Sequence, residues 1–166
     1  MKRVVALIAL IATPALAEPY APEPVRIQIA ATVRAGRQDC AACDLFQADL
    51  SYLDVRGRNF SGSRLRQADL ELAEADRANF AHADMSVLNG FGARFTGANF
   101  VGANLTDANL VGAYFAGANF TGARLDRAVL AGADLAGARG LTQAQISLAC
   151  GDKATALPAG LTIRFC

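Results

Sequence analysis

The chain repeats every five residues from residue 43 to residue 140. If the middle residue of each unit is taken as its centre, twenty centres run from Leu45 to Gly140, and fifteen are Leu or Phe. Two residues before the centre, fifteen of the twenty positions are Ala, and two residues after it, ten are Gly. A helix would spread these centres around its circumference, and a strand would place successive centres on opposite faces. The period therefore predicts a chain that turns a corner every five residues, with Gly at the corner because it tolerates positive φ.

The repeat also has a longer period of twenty residues, which is four five-residue units. It predicts a core ladder of stacked aromatic rings, formed by Phe60, Phe80, Phe100 and Phe120. Four corners then close one coil, and twenty units make five coils, with a length of about 24 Å at the inter-strand spacing. At Leu88 and Gly90 the large and the small residue exchange places, which conserves core volume. Arg58 occupies an inward position, so we expect either a distorted first coil or an Arg58 side chain that reaches outward.

Units such as ANFVG, ANLTD and ADLAG resemble the pentapeptide repeat family, whose motif is A(D/N)LXX. The resemblance covers about a hundred residues. It implies an all-β fold, a right-handed quadrilateral β-helix, here of about five coils with short helical caps. It implies little about function, because one fold can carry many activities.

The first seventeen residues are typical of a secretory signal peptide. Lys2 and Arg3 give a basic start, an apolar run follows from Val4 to Ile11, and the segment ends with small residues at Ala15 and Ala17. The apolar run is too short to span a bilayer. We predict a bacterial protein in the periplasm or secreted, without membrane contact after cleavage. The predicted organisation is a signal peptide at 1–17, an N-terminal leader and cap at 18–39, a repeat β-helix at 40–141 and a C-terminal cap at 142–166.

The segment before the repeats is predicted to cover the open first coil. Residues 18–24 contain three prolines and are expected to be an extended leader. The next residues, 25–35, alternate as a strand does, but Val25, Ile29 and Val33 also recur every four residues. With Pro24 at its start and Gly36 at its end, a short helix is favoured over the strand.

The segment after the repeats is predicted to close the last coil. Residues 142–150 are expected to form a short helix, with Thr142 as N-cap, Gln145 completing a capping box and Gly151 ending it. Residues 157–166 are expected to return as a loop and a short strand. The pattern GLTQAQ…CGD…LPAGLT…C resembles the tail of exported bacterial pentapeptide repeat proteins.

Four cysteines stand at the two ends of the repeats. Because the predicted rod separates the pairs by far more than a disulfide can span, Cys40 should pair with Cys43, and Cys150 with Cys166. The same separation disfavours a four-cysteine zinc site. Cys40–Cys43 also matches the C-x-x-C spacing of redox dithiols. A structural clip is favoured, since the βαβ context of the redox motif is absent.

The candidate partner surface is an outward apolar strip in the later coils. Phe91, Val111 and Ala131 stack by twenty, Val129 lies beside them, and Tyr114 on the next face could be their polar rim. The strip predicts an unknown protein partner or self-association. The alternative is scattered surface apolar residues, which are normal.

No residue pattern indicates catalysis, a cofactor or a metal, so we predict a binding or structural module and no enzyme. The single histidine, His82, occupies a corner among small residues. Arg56, Arg58, Arg64 and Arg66 are expected on different faces with acids between them, which disfavours nucleic acid. Asp44, Arg64 and Asp84 should form one outward column.

The family resemblance also implies an alternative function, because some members imitate DNA and bind topoisomerase. That role requires a strongly acidic rod in the cytosol. The whole chain has a net charge of +1, and removal of Lys2 and Arg3 with the signal peptide would leave −1. Charge and predicted export both disfavour the alternative.

Overall fold

The computed structural model describes residues 23–36 and 39–166; the predicted signal peptide and residues 18–22 lie outside this part. The chain order is α1 (Glu23–Arg34), the repeat region, α2 (Gln143–Ser147), β1 (Cys150–Gly151) and β2 (Arg164–Phe165). Neither helix is long and apolar enough to cross a bilayer.

The repeat region is a solenoid in which residues twenty apart are paired in parallel. Asp44 bridges to Arg64, and Arg64 to Asp84. Positive φ recurs every five residues, from Gln47 and Tyr52 to Gly57 and Gly62. Four corners therefore separate each residue from its bridge partner, as predicted.

Regular strand is scarce in this solenoid. Within the described ranges, β1 and β2 are the named strands, and they pair in parallel. The remaining inter-coil pairing consists of isolated bridges. The all-β class is thus carried by bridges rather than by strands of ordinary length, and the right hand of the coil stays a prediction.

The corners divide the surface into four faces. Face 1 begins with residues 43–46, face 2 with 48–51, face 3 with 53–56 and face 4 with 58–61, and each recurs every twenty residues. Coils 1 to 5 begin at residues 43, 63, 83, 103 and 123.

The core follows the predicted periods. Every central position from Leu45 to Leu135 is buried. The four rings of the Phe60–Phe120 ladder are stacked, with successive centroids 5.3, 5.3 and 5.0 Å apart. The exchange in coil 3 is confirmed: Leu88 is buried, and a Cβ on Gly90 would lie 3.2 Å from the Leu88 Cδ2 atom. Gly140 is exposed and is not a core centre, so the last predicted centre is wrong, although Ala138 of the same unit is buried and Arg139 bridges to Asn119.

The first central position lies one unit before Leu45, at the start of the predicted β-helix range of 40–141. Cys40 is fully buried, and its N–H donates to the Asn59 carbonyl at 2.8 Å, which places Cys40 at the start of the phenylalanine ladder. Ala42, at φ 55°, forms the corner. Cys40 and Cys43 lie at disulfide distance with Cα atoms 5.2 Å apart, as do Cys150 and Cys166 at 4.9 Å.

Arg58 does not distort the first coil. The next central residue, Phe60, keeps its inter-coil hydrogen bond to Asn79 at 2.7 Å. A Cβ on Gly36 would lie 3.2 Å from the Arg58 Nη2 atom, so the guanidinium reaches toward the end of α1. Of the two expectations for Arg58, the outward reach is the correct one.

The favoured N-terminal helix is confirmed as α1, which packs on the first coil. Val33 is buried, and Ile29 and Ala30 pack against the core. The chain leaves the helix at Gly36, with φ 71°. Because α1 already begins at Glu23, the predicted extended leader is wrong for residues 23–24; a proline is tolerated in the first helical turn, where its missing N–H is not needed.

At the other end, α2 closes coil 5 with the predicted capping box. The Thr142 N–H donates to Gln145 Oε1 at 2.8 Å, and Gln145 Nε2 donates to the carbonyls of Phe120 at 2.9 Å and Ala123 at 2.8 Å. The helix ends at Ser147, not at Gly151 as predicted, because Cys150 and Gly151 pair with β2.

Replacement of Gly112 by Ala should lower the free energy of unfolding by about 1 kcal/mol, because an Ala side chain disfavours the left-handed conformation. Gly112 has φ 67°, and an added Cβ would meet nothing within 4 Å, so no clash contributes. Gly112→Asn is the matched control and should lose less, since Asn visits this conformation more readily. Urea denaturation measures both; an Ala variant as stable as the original would contradict the prediction.

Replacement of Gln145 by Ala should lower the free energy of unfolding by about 1–3 kcal/mol, because it removes the capping box and the donor to the Ala123 carbonyl. The Phe120 carbonyl keeps its hydrogen bond from the Ala123 N–H at 2.9 Å. Gln145→Glu separates the two roles, since a carboxylate still accepts from the Thr142 N–H but cannot donate to Phe120 and Ala123. Thermal unfolding of both variants should place Glu between Ala and the original residue. Equal stabilities for Ala and Glu would mean that the capping box contributes nothing and that only the donation to the coil carbonyls matters.

Candidate functional site

Face 2 carries an exposed apolar surface in coils 3 to 5. Phe91 is 44% exposed, and Val111, Val129 and Ala131 are half-buried on the same face. Val129 continues the bridged column above Asn109. The structure therefore brings Phe91, Val111 and Val129 onto one face, where the sequence analysis expected a partner surface.

Two further apolar side chains, Leu72 and Val87, border this surface and escaped the sequence analysis. They are 46% and 42% exposed and occupy the corners on either side of face 2. A Cβ on Gly92 would lie 2.7 Å from the Leu72 Cδ2 atom, so Leu72 lies over Gly92, beside Phe91. A large apolar residue at a position usually held by Gly was the signal for both. The apolar strip is defined from here on as Leu72, Val87, Phe91, Val111, Val129 and Ala131.

The same face is acidic in coil 2, next to the strip. Asp69 Oδ1 accepts from the Glu71 N–H at 2.8 Å and from Asn89 Nδ2 at 3.0 Å. Within residues 23–36 and 39–166, no ion pair joins Asp69 or Glu71 to a cation, whereas Asp49 in coil 1 pairs with Arg34 at 3.0 Å. Face 2 thus presents two uncompensated carboxylates below an apolar surface.

The carboxylates of coil 2 change the pKa of Tyr52. The Tyr52 hydroxyl donates to Glu71 Oε1 at 3.2 Å. This hydrogen bond and the negative charges of Glu71 and Asp69 raise the pKa of Tyr52 above its ordinary value of 10.0, because they oppose formation of the phenolate.

Tyr114 lies on face 3, across the Gly112 corner from the strip. It is 52% exposed and stands between Arg94 and Asp134 in their bridged column. Arg94 forms an ion pair with Asp76 at 3.2 Å, so face 3 is polar around it. The role of Tyr114 as a polar rim stays a prediction.

The basic residues do not form a separate site. Arg64 and Arg66 share face 1, which corrects the expectation of different faces. Arg64 pairs with Asp44 at 3.2 Å and lies over the Phe46 ring at 4.1 Å. Arg56 pairs with Asp54 at 2.6 Å, and this contact lowers the pKa of the Asp54 carboxyl to about 2. Basic side chains and carboxylates therefore alternate on these faces.

The described residues offer little for catalysis. His82 is exposed at a corner, with φ 58°. No group of three or more His, Cys, Asp and Glu in residues 23–36 and 39–166 could hold a metal ion. A cleft of about 440 Å³ lies between α1 and coil 1. Apolar residues such as Ile27 and Ala30 line it together with Gln47 and the ion pair of Arg34 and Asp49.

The comparisons with known proteins agree with this geometry. A family model described as pentapeptide repeats, in eight copies, matches residues 59–86, 91–127 and 108–139. The repeat region of this chain thus belongs to the pentapeptide repeat family, whose members are generally structural or binding modules. No curated protein matches the chain.

Three solved structures of this family illustrate the similarity. A thylakoid-lumen protein of Arabidopsis thaliana is 34% identical over 53% of this chain and 54% of its own, with a TM-score of 0.28. HetL of Nostoc sp. strain PCC 7120, involved in heterocyst differentiation regulation, is 23% identical over 60% of this chain and 54% of its own (TM-score 0.24). QnrB1, a plasmid-mediated fluoroquinolone resistance protein, is 20% identical over 68% and 81% (TM-score 0.32). The chain spans about half the length of the first two.

Replacement of Glu71 by Gln should lower the pKa of Tyr52 toward its ordinary value, because it removes the nearest negative charge. A titration of the tyrosine ring signals by NMR measures this change. Glu74→Gln, which removes a charge from face 3, is the matched control and should leave the pKa of Tyr52 unchanged. An unchanged Tyr52 in the Glu71 variant would show that the carboxylate exerts no field there.

Proposed function

We propose that this chain is an exported, non-catalytic protein that binds a protein partner through the apolar strip of face 2. Its scaffold is a rigid, right-handed, four-sided β-helix. The observation that carries the proposal is the exposure of Phe91 on face 2 and of Leu72 and Val87 at its two corners, each more than two-fifths exposed. Clustered apolar side chains bordered by polar groups are typical of the centre of a protein interface.

The backbone of face 2 favours tight binding because it is already ordered. Inter-coil hydrogen bonds hold the backbone at Phe91. The Gly90 N–H donates to the Asn109 carbonyl at 2.7 Å, and the Phe91 carbonyl accepts from the Leu72 N–H at 2.9 Å. A partner that docks on such a surface does not lose affinity through ordering of a loop. The flat face also offers adjacent columns of side chains at fixed spacing.

Export is supported by the predicted signal sequence and by the cysteines. Both cysteine pairs lie at disulfide distance, and disulfides persist in oxidising compartments. In the described part of the chain no cysteine is free. A periplasmic or secreted partner is therefore the one to look for.

Photo-crosslinking in the native host tests this function. A photoreactive phenylalanine analogue replaces Phe91, and the crosslinked products of the exported protein are identified by mass spectrometry. We expect one dominant partner, which is lost when the pair Phe91→Asp and Val111→Asp is tested by chemical crosslinking. The matched control is Val101→Asp with Thr121→Asp, which places the same charges at equivalent positions of face 4.

The controls separate the outcomes. A partner that survives the face 2 variant but not the face 4 variant would move the site to face 4. Crosslinks only between copies of this chain would replace a partner-binding role by self-association. Because the substituted side chains point outward, both variants should fold. Circular dichroism of each variant checks this.

A further inference from the structure

The proposed partner can be specified further from the charge of face 2. In coil 2 the face ends with Asp69 and Glu71, both half-buried and without a cationic partner among residues 23–36 and 39–166. Leu72, the next residue, belongs to the apolar strip. A protein that covers Leu72 and Phe91 therefore also removes water from these two carboxylates.

Loss of water around an ionised carboxylate is unfavourable unless an opposite charge replaces it. Asn89 already donates to Asp69 at 3.0 Å and to Glu71 at 3.3 Å, so neutral donors on this side are in use. Glu71 Oε1 accepts from the Tyr52 hydroxyl at 3.2 Å, so the donors that hold these two carboxylates are neutral. A cation on the partner would compensate both carboxylates, and its attraction would also accelerate encounter.

We propose that the partner of face 2 is a protein segment with apolar side chains followed at one end by Lys or Arg. The apolar side chains cover Phe91 and Val111, and the cation reaches Asp69 and Glu71. This inference rests on the proposed docking function and adds the chemistry and the orientation of the partner.

The coil spacing sets the dimensions of such a segment. Successive coils are about 4.8 Å apart, so the carboxylates lie one step of about 5 Å from Phe91 and about 15 Å from Ala131. An extended peptide rises about 3.3 Å per residue, so the cation should stand a few residues from the nearest apolar anchor. The basic end of the partner points toward α1.

A second copy of this chain fits face 2 less well. Two copies paired face to face in parallel would set Asp69 and Glu71 against the same carboxylates. In an antiparallel pair centred on Val111, Glu71 would meet the level of Asp152, whose carboxylate accepts from the Gly132 N–H at 2.9 Å. Like charges then approach each other, although Lys153 stands beside Asp152. Self-association is therefore an outcome that the experiment must separate.

Selection from a random peptide display library tests the partner chemistry. The bait is the mature, disulfide-bonded protein, and the variant with Phe91→Asp and Val111→Asp removes peptides that bind elsewhere. We expect the enriched peptides to combine apolar residues with Lys or Arg toward one end. Sedimentation of the protein without peptide measures in parallel whether it forms a dimer.

The enriched peptides are then measured against charge variants. The pair Asp69→Asn with Glu71→Gln keeps the size of both side chains while it removes both charges, and it should weaken binding at least about tenfold, or 1.4 kcal/mol. The pair Asp84→Asn with Asp134→Asn removes the same charge from faces 1 and 3 and should leave affinity unchanged. Added salt should weaken binding to the original protein more than to the neutralised variant.

Each other outcome overturns a different statement. Enriched peptides without basic residues, or equal affinity for the neutralised variant, would overturn the partner chemistry and leave the docking face intact. If no peptide depends on Phe91 and Val111 and no crosslinked partner is found, the docking function itself fails. A dimer that Phe91→Asp dissociates would make a second copy the occupant and would overturn the cationic partner.

Discussion

Hydrogen bonds between the backbones of successive coils determine the rest of this structure. The N–H of a central residue donates to a carbonyl nineteen residues further on, as from Leu65 to Asp84 at 2.7 Å and from Phe80 to Asn99 at 2.8 Å. Because these bonds fix one spacing for the whole coil, every inward side chain must pack on the one directly above it. The outward side chains form straight columns for the same reason, which is why charge and apolar surface are arranged in columns here.

The coils could be predicted from the sequence because each unit copies the same local solution. The stacking of Phe60 to Phe120 and the exchange of Leu88 with Gly90 both followed from period and volume alone. The central position of Cys40, inside the predicted β-helix range, was missed because a cysteine stands where Leu or Phe is usual, although its backbone pairs in register with coil 1. The end of α2 escaped because the pairing of Cys150 with Arg164 depends on residues fourteen further along the chain.

The docking face could be predicted only in part. Phe91 and Val111 were visible because side chains twenty apart stack, but Leu72 and Val87 stand at corners where the period predicts Gly. Both hold left-handed conformations, at φ 53° and 58°, which are unfavourable for residues with a Cβ and most of all for a β-branched one. Other non-Gly residues such as Gln47 and Arg77 hold the same left-handed corner, so this conformation belongs to the coil, and the period does not predict which corners carry exposed apolar groups.

The four-cornered coil also limits how a chain of this kind can change in length. A duplication of twenty residues adds one full coil and returns every later residue to its original face. An insertion of five residues after coil 2 would keep the core pattern intact, yet it would rotate all later coils by a quarter turn relative to α1. Phe91 and Val111 would then no longer stand above Asp69 and Glu71. A folded, stable descendant could in this way lose a binding surface without a single substitution in it.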